Sequence, residues 1–436
     1  MAAACGRGGG GPILAGMAWK KTAALLGLGA AIPIVLLAAT AAVLALRMER
    51  RTAAPPAGAA TARPWGAVDL ETFDTHVPSG MQRTIADSIR LEDPREFDRD
   101  GDGVREYDFL ALSGGGAHGA YGAGLLCGWS QRGDRPNFKV VTGISTGALQ
   151  ATPAFLGPDY DPLLKRFYTE IDTADIYRKR GPVAAITHDA TCDTAPLRRL
   201  LDGAIDEAVL AAVARKHAAG HRLFIGTANM DANEFTIWDM GAIAASGRPD
   251  ARRRYVDVLV ASASVPVLFP PVYFDVEIDG RRCREMHCDG GAEAQVFLRG
   301  FMLDVEDALE GAGLTTGEVQ GRLFVIRNGR TDDRPGYAAI APSTLSIAEA
   351  TIEKLFKVSS TSSLYRMYVL ADRYGVAFNF RCIPQDFEVG FPALQFDRAG
   401  MNRLFELGFR TGRESDEWAK SPPDIDPDEL ADAERR

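Results

Sequence analysis

The 436-residue chain predicts an α/β fold with a largely parallel central sheet. Short apolar runs alternate along it with stretches of helical spacing, and the first two runs, residues 107–112 and 139–141, each lead into a glycine-rich turn and then a helix-like stretch. This alternation is typical of βα units, whose strands lie parallel. Because 46% of the residues are hydrophobic, the chain can also bury a large core.

The remaining elements follow from the same patterns. Strands are predicted at residues 107–112, 139–141, 223–227, 235–239, 255–260 and 323–327, and helices at 119–130, 146–155, 197–214, 296–310 and 345–372. In the last helix, apolar residues recur at helical spacing: Leu345, Ile352, Leu355 and Phe356. Such a pattern is more typical of a core face than of a lipid-binding face.

The N-terminal part of the chain predicts a membrane span. Residues 22–46 carry no charge and are long enough to cross a bilayer core of about 30 Å as a single transmembrane helix. An uncleaved anchor is favoured, because a signal peptide has an apolar stretch of only about 7–15 residues. Cleavage, which would give a secreted or periplasmic protein, stays open, and flanking basic residues at both ends leave the side of the membrane unassigned.

These features divide the chain into five regions. They are an N-terminal segment (1–21), the anchor or signal sequence (22–46), a spacer and lead-in (47–105), the α/β domain (106–413) and an acidic, flexible tail (414–436). The net charge is −9 although the N-terminal part is basic, so the body is acidic and nucleic acid is not an expected partner. Six scattered cysteines are too few for a disulfide framework.

The first glycine-rich motif, residues 113–119, directly follows the first strand. Consecutive glycines let backbone N–H groups converge on an anion or an oxyanion, here from Gly114, Gly115 and Gly116. With Gly119, the motif also fits a dinucleotide-binding loop. A dinucleotide site needs an acidic residue at the tip of the second strand, and Ser145 follows that tip instead. A dinucleotide-dependent oxidoreductase is therefore the weaker alternative.

The second motif places Ser145 between Gly143 and Gly147, after a strand and before a helix. In this context a G-x-S-x-G sequence predicts a nucleophile elbow, a sharp turn that exposes the serine hydroxyl at a helix N-terminus. By itself, the same sequence would also suit a serine that caps a helix in a glycine-rich turn.

The third motif is Asp289-Gly290-Gly291. The usual α/β-hydrolase order is serine, acid, histidine, yet the last histidine of the chain is His287. A triad in that order is impossible, so a carboxylate bonded to the serine hydroxyl is the expected base. It can serve if burial raises its pKa from the reference value of about 3.9.

Taken in order, the three motifs resemble the patatin-like phospholipases, which use a Ser-Asp dyad. Residues 261–272, rich in small residues and proline, resemble the family's segment before the aspartate, and the likeness extends over residues 107–296, with weaker detail at 364–380 and 396–408. The resemblance implies a three-layer α/β/α fold with Ser145 and Asp289 as the dyad. It also implies a lipid ester substrate, a phospholipid or related lipid, with neither metal nor organic cofactor.

Some residues depart from the family or suggest other sites. His118 stands where the family often has Arg or Lys, which weakens a phosphate-gripping role for the loop. Asp98, Asp100 and Asp102 have calcium-loop spacing, but Phe109 occupies the position of the closing glutamate, so a solvated turn is expected. Cys283, His287 and Cys288 lack a second ligand pair, so no metal site is predicted. A non-catalytic membrane adaptor that keeps the fold is the remaining alternative.

Overall fold

The computed structural model describes residues 54–59, 62–68, 80–181, 188–298, 319–331 and 339–423, with Ala38 and Ile425. The chain divides into two units, residues 1–54 and 55–436, and the second contains the elements below. Apart from Ala38, the predicted span at residues 22–46 lies outside the described residues, and no helix among the described residues is long and apolar enough to cross a bilayer. The membrane span stays a prediction.

Ten strands form the β-structure of the described residues. They are β1 (Arg105–Leu112), β2 (Val140–Gly143), β3 (Arg178–Lys179), β4 (Cys192–Asp193), β5 (Arg222–Asn229), β6 (Glu234–Asp239), β7 (Val272–Ile278), β8 (Arg281–Asp289), β9 (Val319–Arg327) and β10 (Ala377–Cys382). The main sheet has the order β10-β9-β1-β2-β5-β8-β7, and β6 also pairs with β5. The pairs from β10 to β5 are parallel, whereas β6, β7 and β8 add antiparallel pairs.

Helices cover both faces of this sheet. They are α1 (Gly80–Leu91), α2 (Pro94–Phe97), α3 (Gly119–Arg132), α4 (Thr146–Leu156), α5 (Asp161–Thr169), α6 (Thr173–Ile176), α7 (Ala195–Ala204), α8 (Glu207–Ala218), α9 (Met240–Ala245), α10 (Ala251–Ser262), α11 (Thr344–Arg373) and α12 (Arg398–Glu414). One apolar core joins the sheet to α3, α4, α5, α10 and α12, and the other joins it to α1 and the C-terminal half of α11. Alternate residues of β1 enter the two cores, as the period of a strand requires.

The predicted α/β fold with a largely parallel sheet is confirmed, with four local corrections. Residues 255–260 belong to helix α10 and not to a strand, because this apolar run is buried by helix packing on several sides. Residues 197–214 form two helices, α7 and α8, separated at Ile205 and the cap Asp206. Residues 296–298 are not helical, and 299–310 lie outside the described residues. Leu355 of α11 is 60% exposed, so its core assignment is wrong.

The tail expected at residues 414–436 is also partly wrong. Trp418 is buried and packs against Trp129 and Phe324, with ring centroids 4.9 and 5.1 Å away. Ala419 exchanges backbone hydrogen bonds with Phe380. The acidic, proline-rich composition of the segment concealed a single large apolar side chain that fixes residues 415–423 to the core. Residues 424 and 426–436 lie outside the described residues.

Candidate active site

Ser145 occupies a sharp turn between strand β2 and helix α4. Its backbone has φ 55° and ψ −124°, a conformation that residues other than glycine seldom adopt. Glycine is required on both sides of the turn: a Cβ on Gly143 would lie 2.5 Å from the Gly147 carbonyl oxygen, and one on Gly147 would lie 2.3 Å from the Leu112 carbonyl oxygen. This is the geometry of a nucleophile elbow.

Sheet topology brings Asp289 to this turn. Strand β6 pairs with residues 224–229 of β5 and so occupies one edge of that strand. The other edge is shared by β2, which pairs with residues 222–225, and by β8, which pairs with residues 227–229. Because β2 runs parallel to β5 and β8 runs antiparallel to it, the end of β2 at Gly143 meets the end of β8 at Asp289.

Asp289 is fully buried with little to stabilise its charge. Its Oδ1 accepts a hydrogen bond of 2.8 Å from the amide of Gly291. Burial raises the pKa of the carboxyl to about 7, and hydrogen bonding by the Ser145 side chain and by the Gly291 amide opposes that rise. Oδ2 has no partner of ordinary hydrogen-bond geometry among the described residues, so the contact with the Ser145 hydroxyl is long or bent.

Two of the three backbone amides predicted to donate to an oxyanion remain available in the glycine loop. The Gly114 amide already donates to the Gln295 carbonyl at 2.9 Å, so it is not available to an oxyanion. Gly115 and Gly116 have φ 155° and 55°, and their amides have no hydrogen-bond partner among the described residues. They are the members of the loop that remain able to bind an oxyanion.

The glycines of this loop also have a packing role that the sequence did not reveal. A Cβ on Gly115 would lie 1.9 Å from the Asn328 carbonyl oxygen, and one on Gly116 would lie 2.1 Å from the Ala393 carbonyl oxygen. Backbone from the residue after β9 and from the segment before α12 therefore fills the space that side chains would need. Asn328 holds the loop further, since its Nδ2 donates to the Ser113 carbonyl at 2.8 Å.

Two serines that the sequence analysis passed over support the site. Ser262 Oγ accepts from the Ser145 amide at 3.0 Å and donates to the Gly226 carbonyl at 2.7 Å, which ties the elbow to β5. The Ser264 carbonyl accepts from the Asp289 amide at 2.9 Å. Both belong to the small-residue segment 261–272, which was the only sequence signal for them.

Gln295 is the other residue that sequence reasoning missed. Its side chain lies between the glycine loop and the Asp289 turn: a Cβ on Gly114 would be 2.2 Å from Gln295 Oε1, and one on Gly291 would be 2.1 Å from Gln295 Nε2. Residue spacing alone gave no reason to select it.

Three of the described histidines form hydrogen bonds with groups other than Ser145. His287 Nδ1 lies 2.9 Å from Thr227 Oγ1, and its ring packs edge-on against Phe274. His118 Nε2 lies 3.0 Å from the Phe391 carbonyl, and burial lowers the pKa of its imidazole, so the ring is neutral at pH 7. His221 lies at the start of β5, the opposite end of the sheet from Ser145, where it contacts the Phe138 carbonyl and Glu96.

Among the described residues, one group has carboxylates close enough to hold a metal ion: Asp98, Asp100 and Asp102, whose ligand atoms lie within 4.8 Å of one another. Asp98 already accepts from the amides of Gly101 (2.8 Å) and Gly103 (3.2 Å), as in a solvated turn. This turn leads into the N-terminal end of β1, at the end of the sheet opposite Ser145. Cys283 and Cys288 are buried free thiols.

Comparison with known proteins follows this geometry. The patatin-like phospholipase family model matches residues 110–302, which include the glycine loop, the elbow and Asp289. No curated protein matches the chain. A solved structure that does match is the crystal structure of VipD from Legionella pneumophila, 12% identical with a TM-score of 0.30, over 71% of this chain and 66% of that chain. That match spans slightly less than two thirds of the VipD chain, and at this score it adds nothing to the fold or the site.

Residues 110–302 match the patatin-like phospholipase family, whose members are lipid acyl hydrolases. The resemblance inferred from the three motifs is thereby confirmed.

Proposed function

We propose that the chain hydrolyses carboxylic esters of phospholipids or related lipids through a dyad of Ser145 and Asp289. The observation that carries this proposal is the pairing of a strained serine with a buried carboxyl whose pKa is raised to about 7. A general base is most effective when its pKa lies near the working pH. An ordinary surface aspartate, with a pKa near 3.9, would be a much weaker base.

The proposed reaction runs in two steps. Asp289 Oδ2 takes the proton from Ser145 as its Oγ bonds to the ester carbonyl carbon, and the amides of Gly115 and Gly116 donate to the resulting oxyanion. Collapse of this intermediate breaks the ester C–O bond, and the leaving alcohol takes the proton from Asp289. In the second step Asp289 deprotonates water, which attacks the acyl-serine, releases the carboxylic acid and returns the proton to Ser145.

The alternative of a dinucleotide-dependent oxidoreductase gains no support from the loop. In such proteins the glycines leave room for a pyrophosphate. Here the space beside Gly115 and Gly116 is filled by the carbonyls of Asn328 and Ala393. Ser145 also follows the strand tip where a ribose-binding acid would stand.

Ser145→Ala separates the hydrolase proposal from a non-catalytic adaptor. Losing the nucleophile of a serine hydrolase costs on the order of 10⁶-fold in turnover. We therefore expect loss of both lipid hydrolysis and fluorophosphonate labelling, with an unchanged thermal unfolding temperature. Thr146→Ser, at the neighbouring position, is the control and should keep labelling. Equal labelling of Ser145→Ala and the unchanged chain would contradict the assignment.

We also propose that residues 22–46 tether the enzyme to a membrane. The support is the uncharged length of this segment. The full chain should sediment with membranes and resist carbonate extraction. Recovery of a soluble chain shortened at its N-terminus would instead indicate a cleaved signal.

A further inference from the structure

A stripe of apolar side chains on helix α11 faces solvent. Ile347, Leu355 and Val358 are 55%, 60% and 65% exposed. At about 100° per residue they lie within a sector of about 80°. Ile352 and Phe356 lie outside this sector and pack on the small core of Cys192, Val265 and Phe269. We call the stripe, together with Val267, the apolar face.

Val267 lies between Val265 and Leu268, which pack on the same small core as Ile352 and Phe356, and it has an unusual backbone. Its φ is 69°, a genuine outlier for a β-branched residue, and its side chain is 36% exposed. The carbonyls of Val267 and Leu268 accept from the amides of Thr191 and Cys192 at 3.0 and 2.9 Å, which hold the segment in place. Strain of this kind persists where the surroundings impose it and concentrates at functional sites.

The small core beneath the apolar face is connected to the candidate active site from one side through Asp289. Its member Val265 follows Ser264, whose carbonyl accepts from the Asp289 amide at 2.9 Å. Ser359 of α11 also donates its hydroxyl to the Glu293 carbonyl at 3.3 Å, four residues after Asp289. The apolar face therefore borders the carboxylate side of the site.

A second connection reaches the glycine loop. Leu394 packs on the same small core, and its carbonyl accepts from the Tyr177 hydroxyl at 3.0 Å. The preceding Ala393 carbonyl accepts from the Ala117 amide at 2.7 Å. The apolar face and the candidate oxyanion site thus share one rigid support.

Basic residues flank the apolar face. Lys354 and Lys357 are exposed along the edge of the stripe, and Arg178 and Lys179 are exposed on β3, whose partner β4 begins at Cys192. The chain as a whole carries a net charge of −9, so two copies repel each other. Exposed apolar side chains beside lysines fit an anionic lipid surface better than a second copy.

We propose that the apolar face docks the enzyme on an anionic lipid surface, with Leu355, Val358 and Val267 entering the headgroup region beside the active site. This rests on the proposed lipid hydrolysis. Docking here would place Ser145 next to the membrane from which its substrate comes, independently of any tether at residues 22–46.

Tryptophan substitution measures docking without relying on activity. The full chain is compared as Leu355→Trp and as Leu91→Trp, a matched control that is 53% exposed at the end of α1, next to Glu92 and at the opposite end of the sheet from Ser145. With phosphatidylcholine–phosphatidylglycerol vesicles containing brominated acyl chains, quenching of the fluorescence contributed by the new tryptophan should be at least twofold greater for Leu355→Trp than for Leu91→Trp. Equal quenching of the two would overturn the proposal.

An activity ratio supplies the second test. The Leu355→Ser/Val358→Ser double variant should lose at least tenfold in turnover of vesicle phospholipid relative to a soluble short-chain ester, whereas Leu91→Ser should change that ratio less than twofold. An equal loss on both substrates would show that these residues only support the fold of the site. A change of oligomeric state in the double variant would assign the face to a second copy. If the unchanged chain cleaves neither ester, the proposed function fails, while the quenching result still decides docking.

Discussion

Asp289 and Glu92 are buried carboxylates at opposite ends of the same sheet, and they are stabilised differently. Glu92 Oε2 accepts from the Lys139 ammonium group and Oε1 from the Tyr107 hydroxyl, with Arg105 Nε 3.4 Å away. Within the described part of the chain, Asp289 has no cationic partner and accepts one amide hydrogen bond of ordinary geometry, from Gly291. A paired buried charge is a structural element, whereas an unpaired one is costly and is retained at sites that use its proton.

The pKa of Lys139, which pairs with Glu92, shows the effect of a charged partner at the other end of the sheet. Burial lowers the pKa of Lys139 to about 8, and the neighbouring Glu92 carboxylate opposes that fall. Burial shifts the pKa at both sites, but at Lys139 an opposite charge opposes the shift, whereas at Asp289 only hydrogen bonds do. Four predictions test whether this difference separates chemistry from folding.

The largest effect is expected for Asp289→Asn. An amide cannot accept the hydroxyl proton, so turnover of a short-chain ester should fall by roughly 10³-fold or more. His118→Gln and His287→Gln, corrected for the fraction of folded protein, should fall far less, because neither imidazole contacts Ser145. If either histidine variant matched Asp289→Asn, the dyad would be wrong.

A residue of this site could be predicted from the sequence only where its role depends on features that are local in the chain. Ser145 and Asp289 were predicted, because a strand-to-helix turn and the absence of later histidines are features of local order and composition. Ser262 and Gln295 were not predicted, since their roles depend on strand β5 and on the approach of two loops that are distant in sequence.

The same limit applies to the fold. Four of the five parallel strands, β1, β2, β5 and β9, were identified by their apolar runs, whereas the parallel β10 and the antiparallel β7 and β8 were missed. Buried and exposed residues alternate along β7, and arginines interrupt the apolar pattern of β8. The mixed composition of residues 415–423 likewise gave no sign that Trp418 would fill a core position.

The next largest effect is expected at the other end of the sheet. Lys139→Met removes the ammonium group bonded to the buried Glu92 carboxylate and leaves only the Arg105 cation, 3.4 Å away, which should lower the free energy of unfolding by up to about 3–5 kcal/mol. Denaturant unfolding measures this change, and the Lys139→Met/Glu92→Gln double variant should recover part of it. Turnover per folded molecule should stay within twofold of the unchanged chain. A larger loss would mean that this carboxylate also acts on the active site.

A smaller effect of opposite sign is expected for the stability of Asp289→Asn. The folded pKa of about 7 exceeds the ordinary aspartate value of 3.8, so the ionisation of Asp289 destabilises the fold as pH rises between these values. Asparagine cannot ionise and can still accept from the Gly291 amide. At pH 8 the variant should therefore be more stable by up to about 4 kcal/mol, and the difference should shrink toward pH 4. Lower stability of the variant at pH 8 would show that the charge is stabilised after all.

The smallest effect, and the one that reads the carboxylate most directly, is the pH dependence of turnover. Asp289 must be ionised to take the Ser145 proton, so kcat/KM for a soluble ester should rise as pH passes through about 7 and then level off. Glu92 lies at the opposite end of the sheet from Asp289, so Lys139→Met does not change the groups around Asp289. The profile of Lys139→Met should therefore superimpose on that of the unchanged chain. The His118→Gln profile should do the same, which separates a carboxylate limb from an imidazole limb of similar midpoint. A midpoint near 4 would show that burial does not penalise the charge of Asp289, and the contrast between the two ends of the sheet would disappear.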